Sequence, residues 1–325
     1  MEALIDKNKE SVVFLMKNNL ICDLETGVCG ISGEDEMEFI DLNQPKKTID
    51  LYYVTDPICS HCWALEPALR RFQEQYGHYF NFRTVMGGLL EKWGDGPIDP
   101  ANGIFGPADV AGHWREVGEY SRMPIDGSLM IDNPVQSSYP PSRVFKVIQT
   151  EHHEEMAFEF LRRAREALFA FNQNIADPSI MTEIVNGLGL NGEAVVKEAE
   201  GIEGHQLLNE DFSLARRLGA RGFPTIILVN ENNKGVKIVG SRPLEYYVSA
   251  LTQILNGEEP AAQQLPSLAG LLKKEKLLFS KEIEVMYDIE QSELHAFVEE
   301  QLAPGTYAEK ELLGEKYFVW ENSNL

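Results

Sequence analysis

The sequence predicts an α/β domain interrupted by a long helical insertion and followed by a small α+β module of winged-helix-like order. Three observations carry that prediction. A β-branched and aromatic run at residues 48–55 leads through Asp56-Pro57 into a Cys-x-x-Cys pair and then a helical stripe. Residues from about 100 to 221 read as helix almost throughout. Beyond a polar linker, three short helical stretches precede two strand-like runs around a glycine.

In chain order, residues 1–47 form a polar arm with five basic and ten acidic residues. A short helix is predicted around 11–18, and residues 23–27 read as a turn between Cys22 and Cys29. The run 48–55 reads as a buried strand. A helix opens near Cys59, because Trp63, Leu65, Leu69 and Phe72 recur at helical spacing. Residues 80–85 read as a second strand, stopped by Met86-Gly87-Gly88. Within the insertion, Phe158, Leu161, Ala164, Leu168 and Phe171 lie on one stripe. Asp177-Pro178-Ser179 starts a further helix, and 201–219 holds another. The Gly- and Pro-rich stretch 97–141 has the texture of a binding surface. Residues 225–229 and 235–239 read as strands, and 243–255 as a closing helix. The expected plan is an arm at 1–47, a domain at 48–255 with its insertion at about 100–221, a linker at 256–266 and a small domain at 267–325. In that last part, helices are expected at 268–272, 280–287 and 292–302, and strands at 307–312 and 316–320.

Composition narrows the function. The chain has 325 residues, 43% hydrophobic and 25% charged, which is ordinary globular usage. No apolar run is long enough to span a membrane. The early run 12–16 follows Glu2, Asp6 and Glu10 instead of a basic segment, so no secretion signal is read and a cytoplasmic location is expected. Lys+Arg 29 against Asp+Glu 51 gives −22, a field that disfavours nucleic acid and anionic membranes as partners. Four cysteines in such a chain argue for redox or metal chemistry over a structural disulfide framework.

Cys59-Ser60-His61-Cys62 is the strongest signal. A helix N-terminus offers free N–H groups and partial positive charge, which stabilise a thiolate on Cys59. Cys62, one turn on, can resolve a mixed disulfide. His61 is expected to add positive charge. Half of a zinc site is the competing reading, but it needs two further ligands and no second Cys-x-x-Cys exists. Cys22 and Cys29 could be an auxiliary redox pair, could join Cys59 and Cys62 around zinc, or could be two free thiols on an arm. His113, His152 and His153 are expected to be solvated or core residues. Trp63, Trp93 and Trp114 could line a peptide groove or simply pack. Phe223-Pro224-Thr225 places proline at the first residue of a strand, where its missing N–H is tolerated.

The helix-opening Cys-x-x-Cys, the long insertion and the Gly222-Phe223-Pro224-Thr225 segment resemble the DsbA family of thioredoxin-like proteins. Asp56-Pro57-Ile58-Cys59-Ser60-His61-Cys62-Trp63 looks like the FrnE-type dithiol-disulfide isomerase branch, as do Met86-Gly87-Gly88-Leu89, Asn174…Asp177 and Leu188-Gly189-Leu190. The resemblance spans about 48–255. It implies a nucleophilic Cys59, a resolving Cys62 and a cis Pro224 that contacts bound peptide; Phe223 and Thr225 beside that proline, and Trp63 from its place just after Cys62, are expected to contact the peptide too, and no organic cofactor is expected. Residues 279–288, with the acidic helix and aromatic hairpin after them, are similar to the end of the YjbH (SpxH) proteins, adaptors that bind the regulator Spx and hand it to the protease ClpXP. Those proteins begin with a His/Cys-rich stretch, whereas 1–47 here has no histidine. The expected function is thiol–disulfide exchange on a protein or small disulfide, with the adaptor role as the alternative. A glutathione-dependent isomerase of the same insertion fold is a weaker match, since those enzymes usually carry Ser where this chain has Cys-x-x-Cys.

A winged-helix shape suggests DNA binding, but charge opposes it. Residues 257–325 carry six lysines, no arginine and fourteen acidic residues, and the stretch 292–302 holds Glu293, Glu299 and Glu300 with no Lys or Arg. A protein-docking or dimerisation module is expected instead, and a chain ending at Asn256 is expected to fold and keep its exchange activity.

Overall fold

The computed structural model describes residues 14–15, 21–23, 28–30, 49–94 and 103–321, so most of the arm expected at 1–47 lies outside the described residues. Its described part is a small antiparallel sheet, β1 (Phe14–Leu15), β2 (Ile21–Asp23) and β3 (Val28–Gly30), in that order. Cys22 and Cys29 are register partners across β2 and β3. The helix expected around 11–18 is corrected at Phe14–Leu15, which pair as a strand with Ile21 and Cys22. Two β-branched valines precede Phe14, a composition that suits a pleated surface better than a helix.

Residues 47–325 form a second compact unit. β4 (Ile49–Thr55), α1 (Ser60–Tyr76) and β5 (Phe80–Met86) make a β-α-β crossover, with β4 and β5 parallel from Ile49↔Phe80 to Thr55↔Met86. The insertion follows as α2 (Pro107–Ser121), α3 (Leu129–Asp132), α4 (Tyr139–Glu151), α5 (Glu154–Arg165), α6 (Pro178–Gly187), α7 (Gly192–Glu200) and α8 (Ile202–Arg217), with a π-helical turn at Glu166–Ala170 prolonging α5. β6 (Thr225–Val229) then pairs antiparallel with β4, β7 (Gly235–Val239) pairs antiparallel with β6, and α9 (Leu244–Ile254) closes the layer. The sheet order is β5-β4-β6-β7.

The tail runs α10 (Leu268–Glu275), β8 (Leu277–Phe279), α11 (Ser280–Tyr287), α12 (Leu294–Gln301), β9 (Tyr307–Leu312) and β10 (Glu315–Trp320). The expected hairpin gains a third strand, and the sheet order β8-β10-β9 is that of a winged helix. β8 is only three residues long and fully buried, too short to show any alternation in sequence.

Successive strand residues face opposite layers. Leu51, Tyr53, Ile226 and Leu228 meet Leu65, Leu69, Phe72 and Tyr247 from α1 and α9. Val54, Val85 and Ile227 meet Ala215 of α8. The insertion has its own core around Trp114, Phe145, Phe160 and Phe169, and that core takes in Trp63 from α1 and both Leu277 and Phe279 from β8. A small core of Leu268, Leu272, Ile283, Val298 and Phe318 holds the tail together.

The tail is also fastened by charge. Arg70 of α1 meets Glu275 at 2.6 Å, Arg162 of α5 meets Glu282 at 2.9 Å, and Arg122, just after α2, takes Glu284 at 2.7 Å and Glu315 at 2.8 Å. The segment between α9 and α10 lies along the end of α1 and the turn after it, with Gln263 donating to the Gln75 carbonyl and Ala261 to the Tyr79 hydroxyl, both at 2.8 Å. Cutting the chain at Asn256 would therefore uncover Trp63 and leave buried Arg162 without Glu282. Stripping one partner from a buried ion pair costs about 3–5 kcal/mol. The expectation that such a chain folds unaided is revised accordingly.

Candidate active site

β4 ends at Asp56-Pro57, and Cys59 becomes the N-cap of α1 with extended backbone, φ −81° and ψ 108°. Its sulfur accepts the Cys62 backbone N–H at 3.2 Å, so the first turn of the helix points one of its free donors at Sγ. Cys59 and Cys62 are joined as a disulfide with Cα atoms 5.2 Å apart. Cys59 is 5% exposed and Cys62 fully buried, which leaves Cys59 as the sulfur a partner can reach.

His61 sits on the exposed side of the same turn, with its ring 5.3 Å from that of His113 on α2. Burial, and then the neighbouring His113, lower the His61 pKa below its ordinary value. Both effects work against the positive charge expected from the imidazole. Stabilisation of a thiolate falls to the helix terminus.

Phe223-Pro224 is a cis peptide bond. The Phe223 ring seats on Gly87, where a Cβ would lie 1.9 Å from it. Gly88 at φ +75° takes the Phe212 ring in the same way, with a Cβ 2.6 Å away. This is why Met86 is followed by two glycines: the end of β5 must let two aromatic rings approach its backbone. Thr225 is buried, its hydroxyl donating to the Gly222 carbonyl at 2.8 Å.

Trp63 needs correction as a peptide-contacting residue. It is fully buried, its indole N–H donates to the Pro124 carbonyl at 3.1 Å, and it packs on Phe169 at 6.0 Å and Phe279 at 5.7 Å. The Arg162 guanidinium lies 4.7 Å above its ring. Trp93 and Trp114 do line a cavity of about 370 Å³, with Cys59, Leu90, Met130 and Phe223. His61, His113 and Phe223 form its rim and also one end of a larger groove of about 1060 Å³ between α1, α2, the turn after β7 and α11. His153 caps α5 through Nδ1, which accepts the Met156 N–H at 3.1 Å. Among the described residues, no three His, Cys, Asp or Glu side chains are grouped to hold a metal ion.

Two polar groups lie buried behind the cysteines, and their partners escaped the sequence reading. Asp56 accepts the Ile58 and Leu89 backbone N–H groups at 3.0 and 2.7 Å and the Ser138 hydroxyl at 2.8 Å. Burial pushes its carboxyl up to about 6, with those donors pulling back. Arg165, fully buried, donates to Glu66 at 2.6 Å, Thr55 Oγ1 at 2.5 Å, the Asp56 carbonyl at 3.1 Å and Tyr53 OH at 3.3 Å. Together they pin the strand end, the loop after β5 and the start of α4 around the cysteines. Glu66 within the apolar stripe of α1 was the available hint, since a buried carboxylate demands a partner.

A helix-capping disulfide facing a cis-proline loop on this sheet defines a thioredoxin-fold protein with a DsbA-like helical insertion. Residues 52–249 match the family described as Thioredoxin. The chain is 31% identical over 277 residues to the ClpXP adapter protein SpxH of Halalkalibacterium halodurans, covering 84% of this chain and 88% of that protein, and 27% identical over 270 residues to that of Bacillus subtilis, covering 82% and 86%. Its fold is similar to a putative protein disulfide isomerase from Nitrosomonas europaea, with TM-score 0.53 and 21% identity over 64% of this chain and 96% of that one. It is similar also to the cytosolic disulfide reductase DsbM from Pseudomonas aeruginosa, with TM-score 0.51 and 22% identity over 64% and 99%. The chain belongs to the thioredoxin family and, within it, to the SpxH group of DsbA-like proteins.

Proposed function

We propose that the protein exchanges disulfides with a protein or peptide partner through Cys59 and Cys62. In the reduced form, the Cys59 thiolate attacks a partner disulfide; one new S–S bond forms, the partner's bond breaks, and one partner sulfur leaves as a thiolate. Cys62, deprotonated in its turn, attacks Cys59 and releases the second partner sulfur. The two electrons have then passed to the partner, and the Cys59–Cys62 bond remains. Run backwards, the same steps oxidise a partner dithiol. Phe223, Pro224 and Thr225 present the backbone along which the partner lies, and His61 stands at the rim. The register pairing of Cys22 and Cys29 supports their reading as an auxiliary pair. Residues 48–255, with the insertion at about 100–221, are the exchanging unit, and 267–325 a protein-docking module. The work is cytoplasmic and needs no organic cofactor. Among the described residues, no helix is long and apolar enough to cross a membrane.

One observation carries this reading: a disulfide at a helix N-cap whose first cysteine alone has exposed surface. Cys62→Ser should accumulate a mixed disulfide with a peptide disulfide, and Cys59→Ser should not. Equal trapping by both variants would reject the assignment of roles.

A second reading is favoured by the curated relatives named ClpXP adapter protein SpxH, whose similarity covers 84% of the chain. There the fold presents Spx to ClpXP without exchange. Capture of Spx that survives Cys59→Ser/Cys62→Ser would support the adaptor role; loss of capture would tie binding to the disulfide.

A further inference from the structure

The larger groove has an asymmetry that the exchange chemistry does not use. Its floor is the small, apolar side of α1, Ala64, Pro67 and Ala68, and its inner end is His61 and Phe223, which also border the Cys59 cavity. A channel that opens onto the reactive sulfur is placed to hold the chain flanking a partner's cysteine. At about 1060 Å³ it lies at the upper end of the range for small-ligand pockets and has room for an extended segment.

Charge states what kind of segment. Most cations on the walls are already matched: Arg71 meets Asp288 at 3.5 Å, Arg122 meets Glu284 at 2.7 Å, and Lys281 reaches the same carboxylate at 3.7 Å. Arg242 donates to the Val239 carbonyl and lies 5.8 Å from the Tyr246 ring. Glu116 on α2, Glu245 on α9 and Glu290 beyond α11 also line the groove, come from three separate elements, and pair with no cation among the described residues. Both histidines lie at the sulfur end, where burial and their mutual proximity disfavour a charged His61. Tyr120, 94% exposed on the α2 wall, offers an aromatic face to a passing cation. The net −22 of the chain adds a long-range field of the same sign.

We propose that this groove selects partner segments that are extended and rich in Lys or Arg beside the reacting cysteine. The inference rests on the exchange reading above for its orientation towards Cys59, and names the class of partner that site accepts.

The test uses the full-length oxidised protein and a short fluorescein-labelled Lys/Gly peptide in which Ser replaces the cysteine, with a Glu/Gly peptide as its mirror. Anisotropy should show the basic peptide binding at least about tenfold tighter at low salt, the sum expected of three exposed charge pairs. The margin should shrink as salt shortens the Debye length, and Glu116→Gln/Glu245→Gln/Glu290→Gln, all exposed positions, should remove it. Equal binding of both peptides, or a preference untouched by the triple variant, overturns the inference. No sulfur reacts in this assay, so a charge preference without exchange would sink only the exchange reading. Exchange on a small neutral disulfide without any charge preference would sink only this one.

Discussion

Phe279→Ala probes whether the tail and the disulfide domain are one cooperative structure. Phe279 is fully buried, edge-on to Trp63 at 5.7 Å, 5.9 Å from Tyr317 and 5.7 Å from the Arg162 guanidinium. Its removal deletes a ring from the core that runs from the insertion into β8. Large-to-small changes of this kind cost about 3–5 kcal/mol. The loss falls on both sides of the junction, because Trp63 and Arg162 belong to the upstream domain and Tyr317 to the tail. At about 2 °C per kcal/mol for a unit of this size, the thermal midpoint should fall by roughly 6–10 °C. Near-UV circular dichroism, which reports the packing of Trp63, and far-UV dichroism, which reports helix content, should show one shared transition in both wild type and variant. An unchanged midpoint, or a wild-type tail that melts ahead of the rest, would refute the shared core.

Three further outcomes are expected. Asp56 has its pKa raised to about 6, so the stability it contributes is full below its unfolded value of about 4 and is lost as pH climbs through 6, roughly 3 kcal/mol in all; Asp56→Asn should therefore gain relative to wild type in urea melts as pH rises from about 4 to 7, and parallel profiles would refute this. Arg165→Met strands Glu66 and should cost about 3–5 kcal/mol, while adding Glu66→Leu should restore much of it; a double-mutant cycle with no coupling would reject the pair. His113→Ala removes one cause of the lowered His61 pKa and opens space around the ring, so the His61 NMR titration should move up; a further fall would contradict the present account.

The parts of this molecule written locally were legible. Asp56-Pro57 ends a β-branched run, Cys59 caps the apolar stripe that follows, and Phe223-Pro224 precedes an apolar strand; each needs only its neighbours. What escaped notice depends on partners far along the chain. Arg165 reaches Glu66 across 99 positions and Arg122 reaches Glu315 across 193, and nothing at either end names the other. Trp63 looked available for a peptide because it follows Cys62, yet its surroundings come from Pro124, Arg162, Phe169 and Phe279. The strand at Leu277–Phe279 is invisible for a different reason: three apolar residues carry no period, and its pairing with Tyr317–Val319 decides its shape.

The arginine fastenings bear on how the tail can be inherited. Its four carboxylate anchors, Glu275, Glu282, Glu284 and Glu315, are matched to arginines on α1, after α2 and on α5. A tail transplanted onto another thioredoxin-fold chain would bring buried negative charge to a surface with no reason to receive it. The tail and those three arginines should therefore pass between lineages as a set, and chimaeras that swap 267–325 should express well only when Arg70, Arg122 and Arg162 travel with it.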